Sequence, residues 1–111
     1  MEGVGTYSWH DGRMYSGDWD QGTMHGEGVF SWKDGREFRG TYIRDKKEGF
    51  GIFRWPDGRT YQGMWANGKQ HGRGIYTNNN GEIRYGLWAN SKRIRWIDEE
   101  EYRAAEEVKN D

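Results

Sequence analysis

The residues best suited to chemistry are three histidines, and their positions argue against a shared active site. The sequence repeats every 23 residues, and His25 and His71 stand two periods apart at one position of the repeat. Neighbouring strands of a sheet lie about 4.8 Å apart, so these imidazoles would be roughly 19 Å apart, too far for one metal ion. His10 gives way to Lys, Pro and Asn in the next three repeats. We therefore predict no catalytic residue, no metal site and no cofactor.

A carboxylate and a guanidinium also recur together. The aspartates are Asp11, Asp34 and Asp57, and the arginines two residues later are Arg13, Arg36 and Arg59. An aspartate before a glycine commonly bonds the backbone of its own turn. The arginines should form a row about 10 Å apart along a sheet, able to contact acidic lipid headgroups or an acidic protein segment. Because an aspartate accompanies each arginine, a solvated and locally neutralised edge is the alternative interpretation.

Composition indicates a folded domain whose core consists of aromatic rings. The chain has 111 residues, of which 32% are charged and 16% are Phe, Trp or Tyr, whereas disordered chains are poor in aromatic residues. It has no cysteine, which excludes disulfides and thiolate metal sites. It shows neither an apolar run of about 18 residues nor a signal-peptide pattern at its N-terminus. We expect a soluble, cytoplasmic protein.

Charge is distributed unevenly along the chain. Residues 1–95 carry 15 Lys and Arg against 11 Asp and Glu, a net charge of +4, whereas residues 96–111 carry 2 against 7, a net charge of −5. A charge of +4 over 95 residues is weak for a nucleic-acid binder, which must neutralise several phosphates. We therefore expect no nucleic-acid partner.

Four repeats of 23 residues account for most of the sequence, at 3–25, 26–48, 49–71 and 72–94. All 18 glycines fall at five positions of this repeat, and 14 of the 18 aromatic residues fall at four positions. The second repeat reads GEGVFSWKDGREFRGTYIRDKKE. In it Gly26, Gly28, Phe30 and Trp32 occupy every second position, which is the period of a strand and not of a helix.

Alternation and turn residues together predict an all-β fold. The His-Asp-Gly, Lys-Asp-Gly and Pro-Asp-Gly segments suit a type I turn completed by a left-handed glycine, so each repeat should be one hairpin. Glycines inside the strands would leave hollows that rings from neighbouring strands fill. We predict an elongated, curved, single-layer antiparallel β-meander of about eight strands, followed by a short C-terminal α-helix.

These units resemble the MORN repeat, whose pattern is approximately Y-x-G-x-W-x-x-G-x-x-x-G-x-G-x-x-x-x-x-D-G. The best copies are YSGDWDQGTMHGEGVFSWKDG from Tyr15 and YQGMWANGKQHGRGIYTNNNG from Tyr61. The resemblance covers roughly residues 3–95 and implies scaffolding, attachment to membranes or the cytoskeleton, and positioning of partner proteins. In some MORN proteins the repeats accompany a kinase or methyltransferase domain, so an accessory domain of an enzyme is a further alternative.

Both ends of the array depart from the pattern. In the last repeat Arg84 replaces the Tyr and Asn78 replaces a Trp, so we expect a degenerate capping unit that frays after Trp88. At the other end Gly3 begins in mid-unit, without the strand that precedes the other copies. We expect the C-terminal part of a longer array, with an unpaired strand edge near residues 5–9.

An acidic capping helix is predicted within residues 96–111. Asp98 and Glu101 have the spacing of a capping box, and Ile97 and Tyr102 have that of a hydrophobic staple. The helix should run from about residue 99 to 109, and about 11 residues are marginal as an isolated helix in water, so it must pack on something. Two roles remain open: a lid over the open end of the sheet, and a linker or dimerisation helix.

Recognition by an aromatic surface is the function that the sequence favours. Seven rings at two repeat positions would line one groove: Tyr15, Trp19, Phe38, Tyr42, Tyr61, Trp65 and Trp88. Exposed Tyr and Trp beside Arg are typical of protein–protein hot spots. We predict a non-enzymatic module that docks a protein partner or a second copy there and takes no small-molecule substrate. The alternative is peripheral binding to acidic phospholipids, a phosphoinositide or phosphatidic acid, through Arg13, Arg36 and Arg59.

Overall fold

A computed structural model describes residues 2–109 of the chain, with side chains through Ala104. Within this range the chain forms nine strands and one helix. The strands are β1 (Gly3–Ser8), β2 (Met14–Asp20), β3 (Thr23–Ser31), β4 (Glu37–Ile43), β5 (Lys46–Arg54), β6 (Thr60–Ala66), β7 (Lys69–Thr77), β8 (Ile83–Ala89) and β9 (Lys92–Ile97), and the helix is α1 (Glu99–Lys109).

All nine strands of residues 2–109 belong to one sheet in chain order, each antiparallel to the next. The prediction of an all-β, single-layer antiparallel meander with a short C-terminal helix is therefore confirmed. The sheet has one strand more than the eight expected, because β9 lies beyond the point where we predicted fraying. Among the described strands β1 pairs only with β2, as predicted for an N-terminal edge.

Asp-Gly turns close the hairpins that pair β1 with β2, β3 with β4, and β5 with β6. In the first turn the Trp9 N–H donates to the Arg13 carbonyl at 2.9 Å, and the Gly12 N–H donates to the Trp9 carbonyl at 3.1 Å. Gly12 has a φ of 97°, a left-handed conformation that glycine adopts without steric cost. The predicted turn is confirmed, and Asp11 Oδ1 accepts the Arg13 N–H at 3.1 Å.

A second set of turns, not recognised from the sequence, joins β2 to β3, β4 to β5, β6 to β7, and β8 to β9. Each has two central residues with positive φ, as in a type I′ turn. The pairs are Gln21–Gly22, Arg44–Asp45, Asn67–Gly68 and Asn90–Ser91. Asn-Gly is a favoured pair for this turn, whereas Arg-Asp and Asn-Ser are not, so the signal is clear in one copy only. The two sets of turns lie at opposite ends of the strands.

Glycines inside the strands let aromatic rings lie over the backbone of one side of the sheet, which we call the aromatic face. A Cβ added to Gly28 of β3 would lie 2.1 Å from the hydroxyl oxygen of Tyr15, and one added to Gly51 would lie 2.3 Å from Cζ of Phe38. Contacts this short are sterically impossible, so each ring occupies the space of a missing side chain. The predicted filling of glycine hollows by neighbouring rings is confirmed.

The last hairpin exchanges ring and glycine, and the sheet continues for one strand beyond Trp88, where the repeat pattern frays. In the first three repeats a ring on one strand covers a glycine on the next strand. In the last hairpin Trp96 of β9 pairs with Gly86 of β8, and Arg84 stands at the position that carries the ring elsewhere. The Arg84 guanidinium carbon lies 4.1 Å from the Trp96 ring centroid. Because the ring is retained on the neighbouring strand, the sheet continues through Ile97.

Helix α1 begins where the capping pattern places it. Asp98 Oδ1 accepts the Glu101 N–H at 2.7 Å, which is the N-cap bond of the predicted capping box. The Glu101 carboxylate forms an ion pair with Arg95 of β9. Three consecutive glutamates at residues 99–101 occupy the first turn, where the helix dipole favours negative charge. Local interactions thus specify the start of the helix.

Tertiary contacts place α1 across the sheet on the side away from the aromatic face, which we call the opposite face. The Tyr102 ring lies 5.1 Å from that of Tyr85, and the Arg73 guanidinium carbon lies 5.0 Å from the Tyr102 ring centroid. Tyr85 alternates with Gly86 along β8 and so points away from the aromatic rings. Ile97, the predicted staple residue, pairs with Tyr85 in the sheet. The C-terminal edge of the sheet is therefore β9, and α1 lies on a face beside it.

Candidate functional site

The centre of the aromatic face is a continuous chain of rings packed edge to face, which we call the inner row. In order along the sheet its members are Trp19, Tyr15, Tyr42, Phe38, Trp65, Tyr61 and Trp88. Successive centroids lie 4.9 to 5.5 Å apart, with interplanar angles of 80° to 88°. Each such pair contributes about 0.5–1.5 kcal/mol beyond its buried area, so the inner row ties every repeat to the next.

The inner row consists of the seven residues predicted to bind a partner, and all seven are buried. Tyr15, Phe38 and Tyr61 are 0% exposed, and the other four are at most 8% exposed. In this arrangement a partner cannot contact the three fully buried rings. The predicted groove residues are therefore the core of the sheet, and any contact surface on this face lies above and beside them.

A second row of rings lies next to the inner row, along the end of the sheet that carries the Asp-Gly turns; we call it the outer row, and all of its members except the buried Phe30 are at least partly exposed. From the N-terminal edge the outer row contains Tyr7, Trp9, Phe30, Trp32, Phe53 and Trp55, with successive centroids 4.6 to 5.5 Å apart. Trp9, Trp32 and Trp55 are half-buried, and Tyr7 is 47% exposed. The repeat pattern revealed these positions, but alternation alone did not show that they are the accessible ones.

Each arginine predicted to contact an anion stacks on a tryptophan of the outer row. The guanidinium carbons lie 5.0 to 5.2 Å from the ring centroids in the pairs Arg13–Trp9, Arg36–Trp32 and Arg59–Trp55. In each turn the arginine Nε also lies 2.8 Å from a carboxylate oxygen of the aspartate two residues earlier. The predicted row of arginines exists, but each positive charge is compensated within its own turn.

Hydrogen bonds in these turns hold the pKa of each aspartate carboxyl below its ordinary value. For Asp11 the largest cause is the backbone N–H of Arg13, followed by the bond from the Arg13 side chain. The backbone N–H of the arginine is also the largest cause of the lowered pKa of Asp34 and of Asp57. The carboxylates therefore stay ionised in mildly acidic solution and continue to neutralise the arginines.

One position of the repeat places a side chain over the aromatic face, and its chemistry differs from repeat to repeat. The four residues are Met24, Lys47, Gln70 and Arg93. Lys47 Nζ lies 5.6 Å from the Trp32 centroid, 5.2 Å from that of Phe38 and 5.7 Å from that of Trp65. Burial lowers the pKa of the Lys47 ammonium group. This aromatic cage was not predicted, and its only signal in the sequence is a lysine where another repeat has a methionine.

Cavities open on both faces of the described part of the sheet. One of about 360 Å³ lies on the aromatic face at the N-terminal edge, between Tyr7, Trp9 and Trp19. A second, of about 340 Å³, lies on the same face near the C-terminal edge and includes Trp55, Trp88 and Trp96. A third, of about 440 Å³, is on the opposite face, over the glycine-rich backbone of β2 to β5.

Polar clusters outside the aromatic face offer little chemistry. Among the side chains that the structure describes, which extend through Ala104, no group of three or more from His, Cys, Asp or Glu is arranged to hold a metal ion. His25 Nδ1 accepts the Arg44 N–H at 3.4 Å. Within residues 2–109, no helix is long and apolar enough to cross a bilayer.

Comparison with protein families decides the identity of the repeat. A family model described as the MORN repeat matches residues 1–12, 15–35, 38–58 and 61–83, which is most of the chain. The chain belongs to the MORN repeat family. A comparison with curated proteins finds no significant match. MORN repeats generally take part in protein–protein or membrane–lipid interactions, and they are typically binding modules without enzymatic activity.

Each MORN match corresponds to a defined set of strands and turns in this sheet. The match at 15–35 contains β2, the two-residue turn, β3 and the following Asp-Gly turn. A ring and the glycine that it covers, such as Tyr15 and Gly28, therefore belong to one MORN unit. The last match ends at Ile83, and β8 and β9, in which ring and glycine are exchanged, follow it.

Proposed function

We propose that this MORN array is a non-enzymatic protein-interaction module whose docking surface is the aromatic face. The supporting observation is the division of its rings into two rows. The buried inner row holds the strands in register, and the half-buried Trp9, Trp32 and Trp55 present indole surface to a partner. Tryptophan and arginine are among the residue types enriched at the hot spots of protein–protein interfaces. The inner row, which we predicted to bind the partner, thus contributes indirectly, by supporting the outer row beside it.

The spacing of the outer row defines the partner that would fit it. Trp9, Trp32 and Trp55 recur every two strands, about 10 Å apart. In an α-helix, residues seven positions apart lie about 10.5 Å apart along the axis, so apolar residues at that spacing would match successive tryptophans. A helix with such anchors, from another protein or from a second copy of the chain, is the partner we propose.

The protein would then reside in the cytoplasm, at whichever membrane or cytoskeletal structure carries this partner.

Binding of acidic phospholipids is less well supported by the geometry. Arg13, Arg36 and Arg59 each have their Nε engaged by a turn aspartate and their guanidinium plane stacked on an indole. A phosphoinositide or phosphatidic acid headgroup would have to displace those carboxylates or use the remaining guanidinium N–H groups. Compensated charges of this kind attract a charged membrane weakly.

Photo-crosslinking from the two faces tests the docking proposal. The full chain would carry benzoylphenylalanine either at Trp32, in the outer row, or at Phe50, which is 49% exposed on the opposite face. We expect protein adducts from position 32 and few from position 50, and an adduct between two copies would identify self-association. Equal labelling from both positions, or labelling from position 50 alone, would contradict the proposal.

Co-sedimentation with liposomes tests the phospholipid alternative separately. Vesicles containing phosphatidic acid or a phosphoinositide would be mixed with the wild-type chain and with the triple variant Arg13→Gln, Arg36→Gln, Arg59→Gln. Electrostatic lipid binding should weaken strongly as salt rises from about 0.05 to about 0.5 M, because the Debye length shrinks several-fold. No binding at low salt would eliminate this alternative, and salt-sensitive binding that needs the three arginines would establish it.

A further inference from the structure

The cavity at the N-terminal edge of the aromatic face is a cage of rings with a carboxylate in its wall. The cavity has a volume of about 360 Å³ and is lined by Tyr7, Trp9, Trp19, Gly22, Met24 and Asp45. The Tyr7 centroid lies 4.8 Å from that of Trp9 at an interplanar angle of 68°, and 6.4 Å from that of Trp19 at 65°. Rings set at steep angles around one space enclose it on several sides, unlike a flat apolar patch.

The next repeat shows what such a cage can hold. Twenty-three residues after Met24, Lys47 places its ammonium group 5.6 Å from Trp32, the counterpart of Trp9. The two other rings near this ammonium group are Phe38 and Trp65, whose counterparts Tyr15 and Tyr42 do not line the first cage. A cation within about 6 Å of a ring centroid is attracted by the negative face of the ring. One cage of this array therefore already surrounds an ammonium group, supplied by its own chain.

Two of the differences between the first cage and the corresponding positions of the next repeat favour an external cation. Met24, at the position of Lys47, is uncharged, so it supplies no ammonium group. Asp45 supplies a carboxylate, whereas its counterpart in the next repeat is Gly68. The carboxylate is held in place, because Asp45 Oδ1 accepts the Met24 N–H at 2.7 Å and the Asp45 N–H donates to the Met24 carbonyl at 2.9 Å.

The arginine beside the first cage does not exclude a cation from it. Arg13 stacks on Trp9 at 5.2 Å and is neutralised by Asp11. Arg36 stacks on Trp32 in the same way, at 5.0 Å, and Lys47 still lies near that ring. A stacked, neutralised arginine is therefore compatible with an ammonium group on the same indole.

We propose that the cage formed by Tyr7, Trp9, Trp19 and Asp45 binds an alkylammonium group, namely a quaternary or N-methylated amine. N-methylated lysine side chains and choline headgroups share this chemistry. The aromatic walls accommodate both the charge and the methyl groups, and the Asp45 carboxylate balances the charge. The site goes beyond docking by the outer row, since it selects a single cationic group at one edge of the array.

A titration of the full chain with choline tests the cage directly. The readout is the NMR signals of the Trp9 and Trp19 indole N–H groups, with 3,3-dimethylbutan-1-ol as the uncharged isostere. We expect saturable shifts with choline and binding of the isostere that is at least about tenfold weaker. Equal binding of both compounds would show an apolar pocket without cation selectivity and would overturn the proposal, as would the absence of saturable shifts.

Matched variants locate the site. Tyr7→Leu removes a wall at an exposed position, and Asp45→Asn removes the charge while keeping an acceptor for the Met24 N–H. Each should weaken choline binding by about fivefold or more. The controls are Tyr76→Leu, at the same repeat position as Tyr7 but distant from the cage, and Glu48→Gln, which removes another carboxylate. Unchanged affinity in the first two variants, or equal loss in the controls, would contradict the assignment.

Two further probes distinguish the sources of the ammonium group. A peptide carrying N-trimethyl-lysine is compared with the same peptide unmodified, and phosphatidylcholine vesicles are compared with phosphatidylglycerol vesicles. Preference for the methylated peptide, lost in Tyr7→Leu, would assign a protein source. Retention on phosphatidylcholine vesicles with the same loss would assign a lipid headgroup, and retention that survives Tyr7→Leu would count against the cage.

Discussion

Packing at single residues in this sheet depends on glycines that leave room for rings. At Gly51 the hydrogen that replaces a side chain allows the Phe38 ring to approach the strand, so a Cβ there would lie 2.3 Å from Cζ and 2.6 Å from Cε1. The ring in turn is 0% exposed. The Phe38 ring is therefore buried because Gly51 has no side chain.

Gly51→Ala should destabilise the chain by about 3 kcal/mol, the upper range for over-packing, since neither the ring nor the neighbouring backbone can give way. Gly49→Ala on the same strand is the matched control. A Cβ on Gly49 would have nothing within 4 Å, and its φ of 76° adds only a left-handed strain of about 1–2 kcal/mol. Urea unfolding measures both, and equal losses would contradict ring packing as the cause.

Hydroxyl groups distinguish the tyrosines of the inner row. The Tyr15 hydroxyl donates to the Asp18 carbonyl at 3.1 Å, whereas the Tyr42 hydroxyl is buried without a hydrogen-bond partner among the described residues. Burial raises the pKa of Tyr15 to about 12 and also raises that of Tyr42. Both rings therefore remain neutral in the folded chain at ordinary pH.

Tyr15→Phe should lower the free energy of unfolding by about 1 kcal/mol, because it removes a hydrogen bond from the core. Tyr42→Phe should leave stability unchanged or raise it by up to about 1 kcal/mol, since it removes an unpaired buried hydroxyl. The two substitutions delete the same atom from neighbouring rings of one row, so each controls for the other. A larger loss in Tyr42→Phe than in Tyr15→Phe, by thermal or urea unfolding, would contradict this account.

At the scale of the elements, the last hairpin shows that the ring covering a glycine can come from a different position of the repeat. The sheet requires that a ring be present, but not that it stand at one fixed position in the sequence. A Cβ added to Gly86 would lie 2.9 Å from atoms of the Trp88 ring of β8 and 3.0 Å from Cε3 of Trp96 of β9, so Trp96 covers this glycine together with Trp88. Arg84, at the regular ring position, stacks on Trp96 instead. The strand beyond the point where the repeat pattern frays is therefore part of the sheet.

A double-mutant cycle tests this exchange. Trp96→Gly should destabilise the chain by about 2–3 kcal/mol through loss of a half-buried ring, and Arg84→Tyr alone should also destabilise it by crowding Trp96. The combined variant restores the regular order of ring and glycine, so it should be more stable than the sum of the two losses by at least about 1 kcal/mol. Additive losses would show that the two positions do not replace one another.

At the scale of the whole molecule, contacts run between neighbours in a linear order. Each of the strands β2 to β8 pairs with the strand before it and the strand after it, and the ring rows cross the same boundaries. Stability in such an array is approximately a sum over units and their interfaces. Features repeated in every turn therefore act together on the whole sheet.

The Asp-Gly turns should make the array sensitive to acid. The pKa values of Asp11, Asp34 and Asp57 are lower in the folded chain than in the unfolded one, so their contribution is complete above the ordinary value near 3.9 and is lost as pH falls through the folded values. Replacing all three by Asn should flatten the fall in melting temperature below about pH 4. Each single replacement should produce about a third of the effect, and an unchanged acid profile in the triple variant would contradict the assignment.

The repeat, the strands, the Asp-Gly turns, the ring-over-glycine packing and the start of α1 all follow from the amino-acid sequence alone. Each of these depends on residues close together in the chain or related by the 23-residue period. Alternation assigns a ring to a face because side chains of a strand point alternately to its two sides. It carries no information on depth, which depends on the neighbouring strands that cover the ring.

The burial of each ring and the pairing of rings with glycines in the last hairpin became clear from the folded chain and not from its sequence. The tertiary structure placed the seven predicted groove rings in the core, left Trp9, Trp32 and Trp55 accessible, and enclosed Lys47 in a cage. It moved the last ring to Trp96 through a register shift between β8 and β9, and it set α1 on the opposite face through Tyr102. These outcomes depend on contacts across strands, where a shift of one residue changes which side chain meets which.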